Sequence, residues 1–154
     1  MANSYSKIYI QVVFAVQARQ ALIDPTWEDE LFKYISGIIN GKGQIMLAIN
    51  GAQDHIHISF AMRPMCCLSD LIREVKKAST AFINAKNLTK RAFRWQDGFG
   101  CFSYSAWDKD KIVNYVMNQK KHHQKQSFRK EYTGILRDNE IEFENQYLFE
   151  WLSE

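Results

Sequence analysis

The sequence predicts an α+β fold in which strands and helices alternate along 154 residues. Three observations support this. Apolar residues alternate over four predicted strands, at 8–17, 44–49, 52–62 and 100–105. Apolar residues recur at helical spacing over three predicted helices, at 25–41, 68–87 and 108–124. Asn50-Gly51 is the dipeptide that a two-residue hairpin turn prefers. The order strand, helix, hairpin, helix, strand, helix is that of a ferredoxin-like split βαβ core with an antiparallel sheet and an appended C-terminal helix.

Local signals support each helix. Asp24-Pro25 supplies an N-cap and a proline at the first helical position, and Gly41 ends the first helix. The second helix has one apolar stripe, with Arg73, Lys76 and Lys77 on another face. The third helix has two adjoining stripes. The apolar one is Ile112, Val113, Val116 and Met117, and the other is Tyr115, Gln119 and His122.

Composition indicates one globular domain over residues 1–154, since 46% of the residues are hydrophobic. The apolar run at 8–16 is short and interrupted by Gln11, which argues against a signal peptide or a membrane span. We therefore expect a cytoplasmic protein that does not engage a membrane. Three cysteines without a CxxC spacing argue against a disulfide framework and a structural zinc site.

Charge is distributed unevenly, although the net charge is only +3. Basic residues predominate in 63–94 and 109–130, whereas the predicted tail at 138–154 is acidic. This asymmetry is typical of a polyanion-binding body with an acidic tail, and solvated helix faces explain each run equally well. The predicted phosphate contacts on the second and third helices are Arg73, Lys76, Lys77, Lys120, Lys121 and Lys125.

The most informative motif is His55-Ile56-His57 in the third strand. Because side chains alternate across a strand, the two imidazoles share one face and the isoleucine lies on the other. This places two metal-ligating groups side by side on a face expected to be open. Two polar-face histidines without a metal are an equally good interpretation of the pair alone.

Tyr115 and Gln119 lie one helical turn apart, so their side chains can reach one point together. Two imidazoles and an amide oxygen would leave open positions for a phosphate on Mg²⁺ or Mn²⁺. A tyrosine beside such a cation suggests a nucleophile, although packing is the commoner role of a helical tyrosine. His122 and His123 fit a solvated or phosphate-facing surface better than a ligand role. His57-Ile58-Ser59 matches a phosphodiesterase HxS motif, but the chain has one such motif where those enzymes need two.

Together these residues resemble the small single-tyrosine HUH transposases of the insertion sequence 200/605 family, in which HUH stands for His, hydrophobe, His. The resemblance spans nearly the whole chain. It rests on Ile8 to Ala15, on Asp54 to His57, on WQDGFGCFSYS at 95–105, on YVMNQKKHH at 115–123 and on SFRKE at 127–131. The HxH pair alone is a weak signal, whereas its combination with the WQxGFGxFSxS and YxxNQxxHH segments is highly specific.

The resemblance implies that Tyr115 is the nucleophile and that His55, His57 and Gln119 hold the metal. It further implies cleavage of one DNA strand, a 5′-phosphotyrosine intermediate and no nucleotide cofactor. The implied partner is single-stranded DNA with hairpins, bound by a homodimer in which the tyrosine helix completes the partner's site.

Two other classes of function remain open at this point. One is a domesticated relative, or a relaxase-like nickase, that acts on chromosomal palindromes. The other is a non-catalytic single-stranded nucleic-acid-binding protein, which would carry stacking aromatics on its sheet and tolerate Tyr115→Phe.

Overall fold

The computed structural model describes residues 2–152. Its strands are β1 Ile8–Ala15, β2 Ile45–Gly51, β3 His55–Met62 and β4 Gly100–Tyr104. Its helices are α1 Glu28–Gly41, α2 Leu68–Ala85, α3 Lys109–Met117, α4 Gln119–His122 and α5 Phe128–Asp138. Short 3-10 turns occupy Arg19–Ala21, Ala106–Asp108 and Asn145–Tyr147. No helix within residues 2–152 combines the length and apolar character needed to cross a membrane.

The four strands form one sheet in the order β2-β3-β1-β4, with every neighbouring pair antiparallel. The two strands that flank α1 are separated by β3, which is the defining feature of a split βαβ unit. This topology confirms the predicted ferredoxin-like α+β fold. The strands and the first two helices lie within a few residues of their predicted bounds.

One face of the sheet forms the apolar core with α1 and α2. Ile56, Ile58 and Phe60 of β3 are fully buried there, opposite Phe14, Val12 and Ile10 of β1. The Nζ atom of Lys76 in α2 lies over the Phe14 ring, 5.3 Å from its centroid. The alternation of β3 therefore sends its isoleucines into the core and its histidines to the opposite face, as predicted.

The histidine face was expected to be open, and the structure instead covers it with α3, α4 and α5. His55, His57 and Ser59 each have 0% of their surface exposed. Phe128, the first residue of α5, stacks on the His55 ring with centroids 3.8 Å apart and planes 3° apart. Phe149 and Trp151 pack on Phe128 in turn, so the C-terminal segment supports the start of α5 where it covers His55.

The predicted hairpin turn at Asn50-Gly51 is wrong. Both residues still belong to β2, where Gly51 pairs with Ile56, and the connection is formed by residues 52–54. The loop is held by bonds to other segments, because Val16 N–H donates to Asp54 O and Ile23 N–H to Gln53 O. Gly51 is needed there because a Cβ would overlap the backbone of His55.

The predicted helix at 108–124 is two helices, α3 and α4, that meet at Asn118. Asn118 departs from helical dihedrals with φ −97° and ψ 17°, and its N–H reaches the carbonyls of both Asn114 and Tyr115. Asparagine favours such breaks because its side chain competes with the backbone for hydrogen bonds. α5 is an additional helix, capped by Ser127, whose hydroxyl accepts from the Lys130 N–H.

Candidate metal centre and nucleophile

The two histidines of β3 have fixed tautomers. His55 Nδ1 lies 2.7 Å from Asp54 Oδ1, and His57 Nδ1 lies 2.9 Å from Gln11 Oε1. Since both oxygens accept, each Nδ1 carries the hydrogen and donates it. Each Nε2 therefore faces the space between the sheet and α5, and in the neutral ring it presents a lone pair there. This is the arrangement in which outer partners orient histidine ligands of a metal.

Glu131 of α5 reaches that space and is 4% exposed. Its Oε1 lies 3.2 Å from His57 Nε2 and 3.4 Å from His55 Nε2. Ligand atoms of His55, His57 and Glu131 all lie within 4.8 Å of one another. Two imidazole nitrogens and a carboxylate oxygen thus converge on one point.

Gln119 and His123 complete the cluster. Gln119 is fully buried, and its Oε1 lies 3.2 Å from His55 Nε2 while its Nε2 donates to Glu131 Oε2 at 2.9 Å. His123 Nε2 lies 2.9 Å from Glu131 Oε1 and 3.0 Å from Gln119 Oε1. Gln119 is thus positioned at the histidine pair, and His123, from the same stretch of chain as Gln119, adds a third imidazole.

Tyr115 joins this cluster within its own chain. Its hydroxyl donates to Glu131 Oε2 in a short hydrogen bond, and its ring centroid lies 5.9 Å from that of His57. A single carboxylate therefore faces the histidines through Oε1 and the phenol through Oε2. The tyrosine and the predicted ligands meet in one site.

Electrostatics in the cluster follow from burial and from Glu131. Burial alone would raise the pKa of the Glu131 carboxyl, but hydrogen bonds with His123, His55 and His57 outweigh burial and lower it. Burial lowers the pKa of His57 to about 4, so this imidazole is neutral at pH 7. Burial and the adjacent carboxylate raise the pKa of the Tyr115 hydroxyl, which keeps the phenol protonated.

The donor set fits a divalent cation. The Nε2 atoms of His55 and His57 face a carboxylate oxygen and an amide oxygen at 3.2–3.4 Å. Without a cation each Nε2 can bond to these oxygens only as a protonated donor, and a divalent ion in the same space would take the nitrogen lone pairs and the oxygens together as ligands. Mixed imidazole and oxygen ligands suit Mn²⁺, Fe²⁺ or Zn²⁺, and Mg²⁺ where oxygen ligands are added.

His122 has a packing role beside Tyr115. Its ring stacks on the phenol ring with centroids 4.7 Å apart and planes 29° apart. Its Nε2 is buried, and no hydrogen-bond partner for it exists among residues 2–152. An unpartnered buried nitrogen reduces stability, whereas the stacked ring holds the orientation of Tyr115.

We expect His122→Phe to be tolerated, because it keeps the stacked ring and removes the unpartnered nitrogen. Its free energy of unfolding should match that of the wild type or exceed it by up to about 1 kcal/mol. His122→Ala loses the stacking and should lower that free energy by roughly 1 kcal/mol. Urea denaturation measures both values. Equal losses in the two variants would show that the nitrogen has a polar role.

Two of the predicted phosphate contacts are engaged inside the protein. Lys76 Nζ donates to the carbonyls of Gln96 and Gly98 at 2.9 and 2.6 Å. Lys120 Nζ pairs with Glu28 at 2.9 Å and donates to Gly51 O at 2.7 Å. Both amines thus have partners within the protein, although the Lys120 side chain is still 46% exposed. Arg73, Lys77, Lys121 and Lys125 are exposed as well, and a phosphate-binding role for all six stays a prediction.

A cleft of about 630 Å³ opens beside Tyr115, between α3 and α5. Tyr115, His122 and Glu131 line it, and Lys111 and Lys130 add positive charge at its walls. Both lysines are exposed. Asp138 also lines the cleft, so its walls carry both signs of charge.

The sequence reasoning missed Glu131, and the structural roles of Asp54 and Gln11 were also not predicted. Glu131 could have been identified from its position on the apolar face of α5, because a buried acidic residue needs polar or charged partners. Phe128, Tyr132, Ile135 and Leu136 show that face at helical spacing.

The model of the family described as "Transposase IS200 like" matches residues 4–119, which is more than half of the chain. The chain belongs to the IS200-like transposase family. This confirms the resemblance found in the sequence. No curated protein sequence matches the chain significantly.

Solved structures support the fold of this IS200-like transposase. A proposed transposase from Deinococcus radiodurans has a TM-score of 0.62 and 18% identity, over 77% of this chain and 95% of that one. A REP-associated tyrosine transposase bound to a REP hairpin has a TM-score of 0.58 and 19% identity, over 80% of this chain and 73% of that one. At such identities the likeness concerns the fold.

Proposed function

We propose that this IS200-like transposase cleaves and rejoins single-stranded DNA through a covalent 5′-phosphotyrosine on Tyr115. The site is proposed to use a divalent cation, Mg²⁺ or Mn²⁺, held by His55, His57, Gln119 and Glu131. The observation that supports this most strongly is the Glu131 carboxylate, which has both β3 histidines on one oxygen and the Tyr115 hydroxyl on the other. Packing alone would not require a buried carboxylate at this point.

The cation, when bound, would offset the charge of the phosphodiester and stabilise the negative charge that develops as the bond breaks. Asp54 and Gln11 keep the Nε2 atoms of the histidines directed at its position. The neutral state of His57 leaves its lone pair available for coordination. His123 is in reach of both oxygen ligands and orients them.

Tyr115 supplies the nucleophile in the proposed reaction. Its phenol oxygen attacks phosphorus and the bond from phosphorus to O3′ breaks. O3′ leaves as an oxyanion and takes a proton from water, which gives a free 3′-OH. Glu131 Oε2, which already accepts the phenol hydrogen, is the group placed to receive that proton. The tyrosine then carries the 5′-phosphate, and attack by a 3′-OH restores a phosphodiester. Because the bond energy is kept in the phosphotyrosine, no nucleotide cofactor is needed.

The proposed substrate is cytoplasmic single-stranded DNA that carries a hairpin. A fold relative is bound to a hairpin in its solved structure, which favours this class of DNA. Exposed Lys111 and Lys130 line the cleft beside Tyr115, and Lys121 and Lys125 are exposed on the segment between Tyr115 and α5. Affinity should therefore fall with salt by a log-log slope of about 0.7 per neutralised single-strand phosphate.

Covalent capture tests the function directly. The protein is incubated with Mn²⁺ or Mg²⁺ and hairpin oligonucleotides labelled at either end, and adducts are resolved under denaturing conditions. We expect only the fragment on the 5′-phosphate side to become attached, and its peptide to contain Tyr115. A pool of flanking sequences is used, since the cleavage sequence is not known. Attachment through another residue, or none with any pool member, would contradict the proposal.

The homodimer with shared sites, which the sequence resemblance implies, is open to a mixing experiment. Tyr115 reaches the histidines of its own chain, so we propose a site completed in cis. Tyr115→Phe and His57→Ala subunits are each inactive under this proposal, and their mixture should stay inactive. Recovery of adduct in the mixture would instead support a tyrosine supplied by the partner subunit. Heterodimers must first be verified by native mass spectrometry.

A domesticated relative that cleaves chromosomal palindromes is the second candidate. The REP hairpin held by the fold relative favours it, because that ligand is a hairpin. Both candidates use the same chemistry at Tyr115. Adduct formation with hairpins taken from the flanks of the gene indicates a mobile element, whereas adducts only with hairpins from elsewhere in the chromosome indicate domestication.

A further inference from the structure

A second cleft lies on the side of the sheet that carries α2, away from the histidine face. It is enclosed by α2 and by the segment 94–99 that leads into β4, and its volume is about 620 Å³. This size is in the roughly 300–1,000 Å³ range of sites that bind small ligands. Its lining includes Ile72, Arg73, Lys77, Arg94, Trp95 and Phe99. The cleft is separate from the cleft beside Tyr115, which is lined by other residues.

The walls of this cleft are fixed by specific bonds. Lys76 Nζ donates to the carbonyls of Gln96 and Gly98, which ties the loop to α2. Trp95 Nε1 donates to Ser79 Oγ at 2.9 Å, and the indole packs edge-on against Phe14. The cleft is therefore a built feature of the fold, and its shape does not depend on a free loop.

Positive charge surrounds the opening. Arg73, Lys77 and Arg94 are all exposed at the cleft, and the acidic residue in the lining is Asp97. Arg73 pairs with Asp70 at 2.8 Å, but both side chains are about 70% exposed, so solvent screens this pair and it can yield to a phosphate. The charge of the rim favours an anion.

The interior of the cleft is apolar. Ile72 is buried, and Phe99 is partly buried with an aromatic ring in the lining. A cationic rim around an aromatic surface is the combination by which proteins bind unpaired nucleotides, with the base stacked and the phosphates paired. A duplex stem keeps its bases paired and could touch only the rim.

The cleft opens at the end of the sheet that holds His55. Trp95 bridges to Val16, which directly follows β1, and the last residue of β1, Ala15, pairs with His55. Val16 N–H also donates to the carbonyl of Asp54, the residue before His55. The segment that lines the cleft is therefore bonded to the end of the sheet where β3 begins with His55.

We propose that this cleft binds an unpaired nucleotide of the same DNA strand that is cleaved at Tyr115. The base stacks on Phe99, and the adjoining phosphates pair with Arg73, Lys77 and Arg94. This inference rests on the proposed function, since it assigns a second contact to the same substrate. Under this proposal the cleft helps to select hairpins by the unpaired nucleotides that flank them.

The test compares two DNAs in a Tyr115→Phe background, where no adduct forms and binding is measured by itself. One is a hairpin with unpaired flanks on both sides, and the other is the same hairpin without flanks. The double variant Lys77→Gln and Arg94→Gln should weaken binding of the flanked hairpin about tenfold and leave the blunt hairpin within about twofold. The matched control neutralises Lys33 and Lys42, two exposed lysines outside this cleft.

Stacking is tested separately with 2-aminopurine placed at each flank position in turn. We expect its fluorescence to be quenched at one position, and the quenching to be lost in Phe99→Ala and in Phe99→Leu. The leucine variant keeps apolar volume, so it controls for misfolding. Equal weakening of both hairpins would indicate that the duplex stem contacts the cationic rim, and it would overturn the proposal. Unchanged binding of the flanked hairpin would also overturn it, as would quenching that persists in both Phe99 variants. Failure of the cleavage chemistry would appear instead as absent adduct in the wild type, with these binding results intact.

Discussion

Replacing Tyr115 by phenylalanine is expected to abolish the covalent protein-DNA adduct. The benzene ring keeps the packing against His57 and His122 but has no oxygen to attack phosphorus. Binding should survive, with a dissociation constant within about threefold of the wild type, because one neutral hydroxyl contributes little to the affinity for a polyanion. The measurement is adduct yield on a denaturing gel beside a fluorescence binding titration.

The fold should tolerate this change. Glu131 Oε2 loses the phenol but keeps the hydrogen bond from Gln119 Nε2 at 2.9 Å. We expect a loss of about 1–2 kcal/mol in the free energy of unfolding. Tyr147→Phe is the matched control, because Tyr147 is 81% exposed and outside the site. An adduct at wild-type yield from Tyr115→Phe would exclude Tyr115 as the nucleophile.

Replacing Glu131 by glutamine is expected to have the second large effect, and no motif in the sequence predicted it. Glutamine has nearly the same shape but carries no charge, so the cluster loses its buried anion and the acceptor for the phenol proton. Metal affinity should fall by at least about tenfold, which is the lower range seen for disrupted metal environments. Adduct yield should fall by at least about a hundredfold, since general-base catalysis is lost as well.

Two measurements separate these effects of Glu131→Gln. The rise in melting temperature on adding Mn²⁺ reports metal binding in the absence of DNA, because a ligand stabilises the state that binds it. Single-turnover adduct formation at saturating Mn²⁺ reports the proton-transfer role. Glu142→Gln, at an exposed position in the tail, is the control. A variant with the wild-type melting response and the wild-type adduct yield would reduce Glu131 to a packing residue.

The sequence by itself determined the order of the four strands and of α1 and α2, and which side chains share a face within β1 and β3. Strand alternation fixed that His55 and His57 share one side of β3, because the period of a strand is two residues. Helical spacing placed Tyr115 and Gln119 one turn apart, and their side chains do meet at one site even though the helix breaks at Asn118. Both inferences hold because they depend on local geometry alone.

Contacts between distant segments were decided only by the tertiary structure. Glu131 is 74 residues from His57 in the sequence, and its position depends on how α5 packs over the sheet. The same holds for Lys76 and Lys120, whose amines bond to backbone carbonyls of other segments. Exposed and engaged lysines have the same helical spacing, so periodicity cannot distinguish them.

The covered histidine face shows why burial could not be predicted from the sequence. A strand pattern states which side chains share a face, but burial of that face depends on what packs against it. Phe128 stacks on His55, and Phe149 and Trp151 hold Phe128 in place, so residues from the end of the chain close the site. Burial then lowers the pKa of His57 and raises that of Tyr115. The protonation states of the site are therefore set by tertiary packing, because desolvation depends on all the neighbours of a group and the local sequence supplies only some of them.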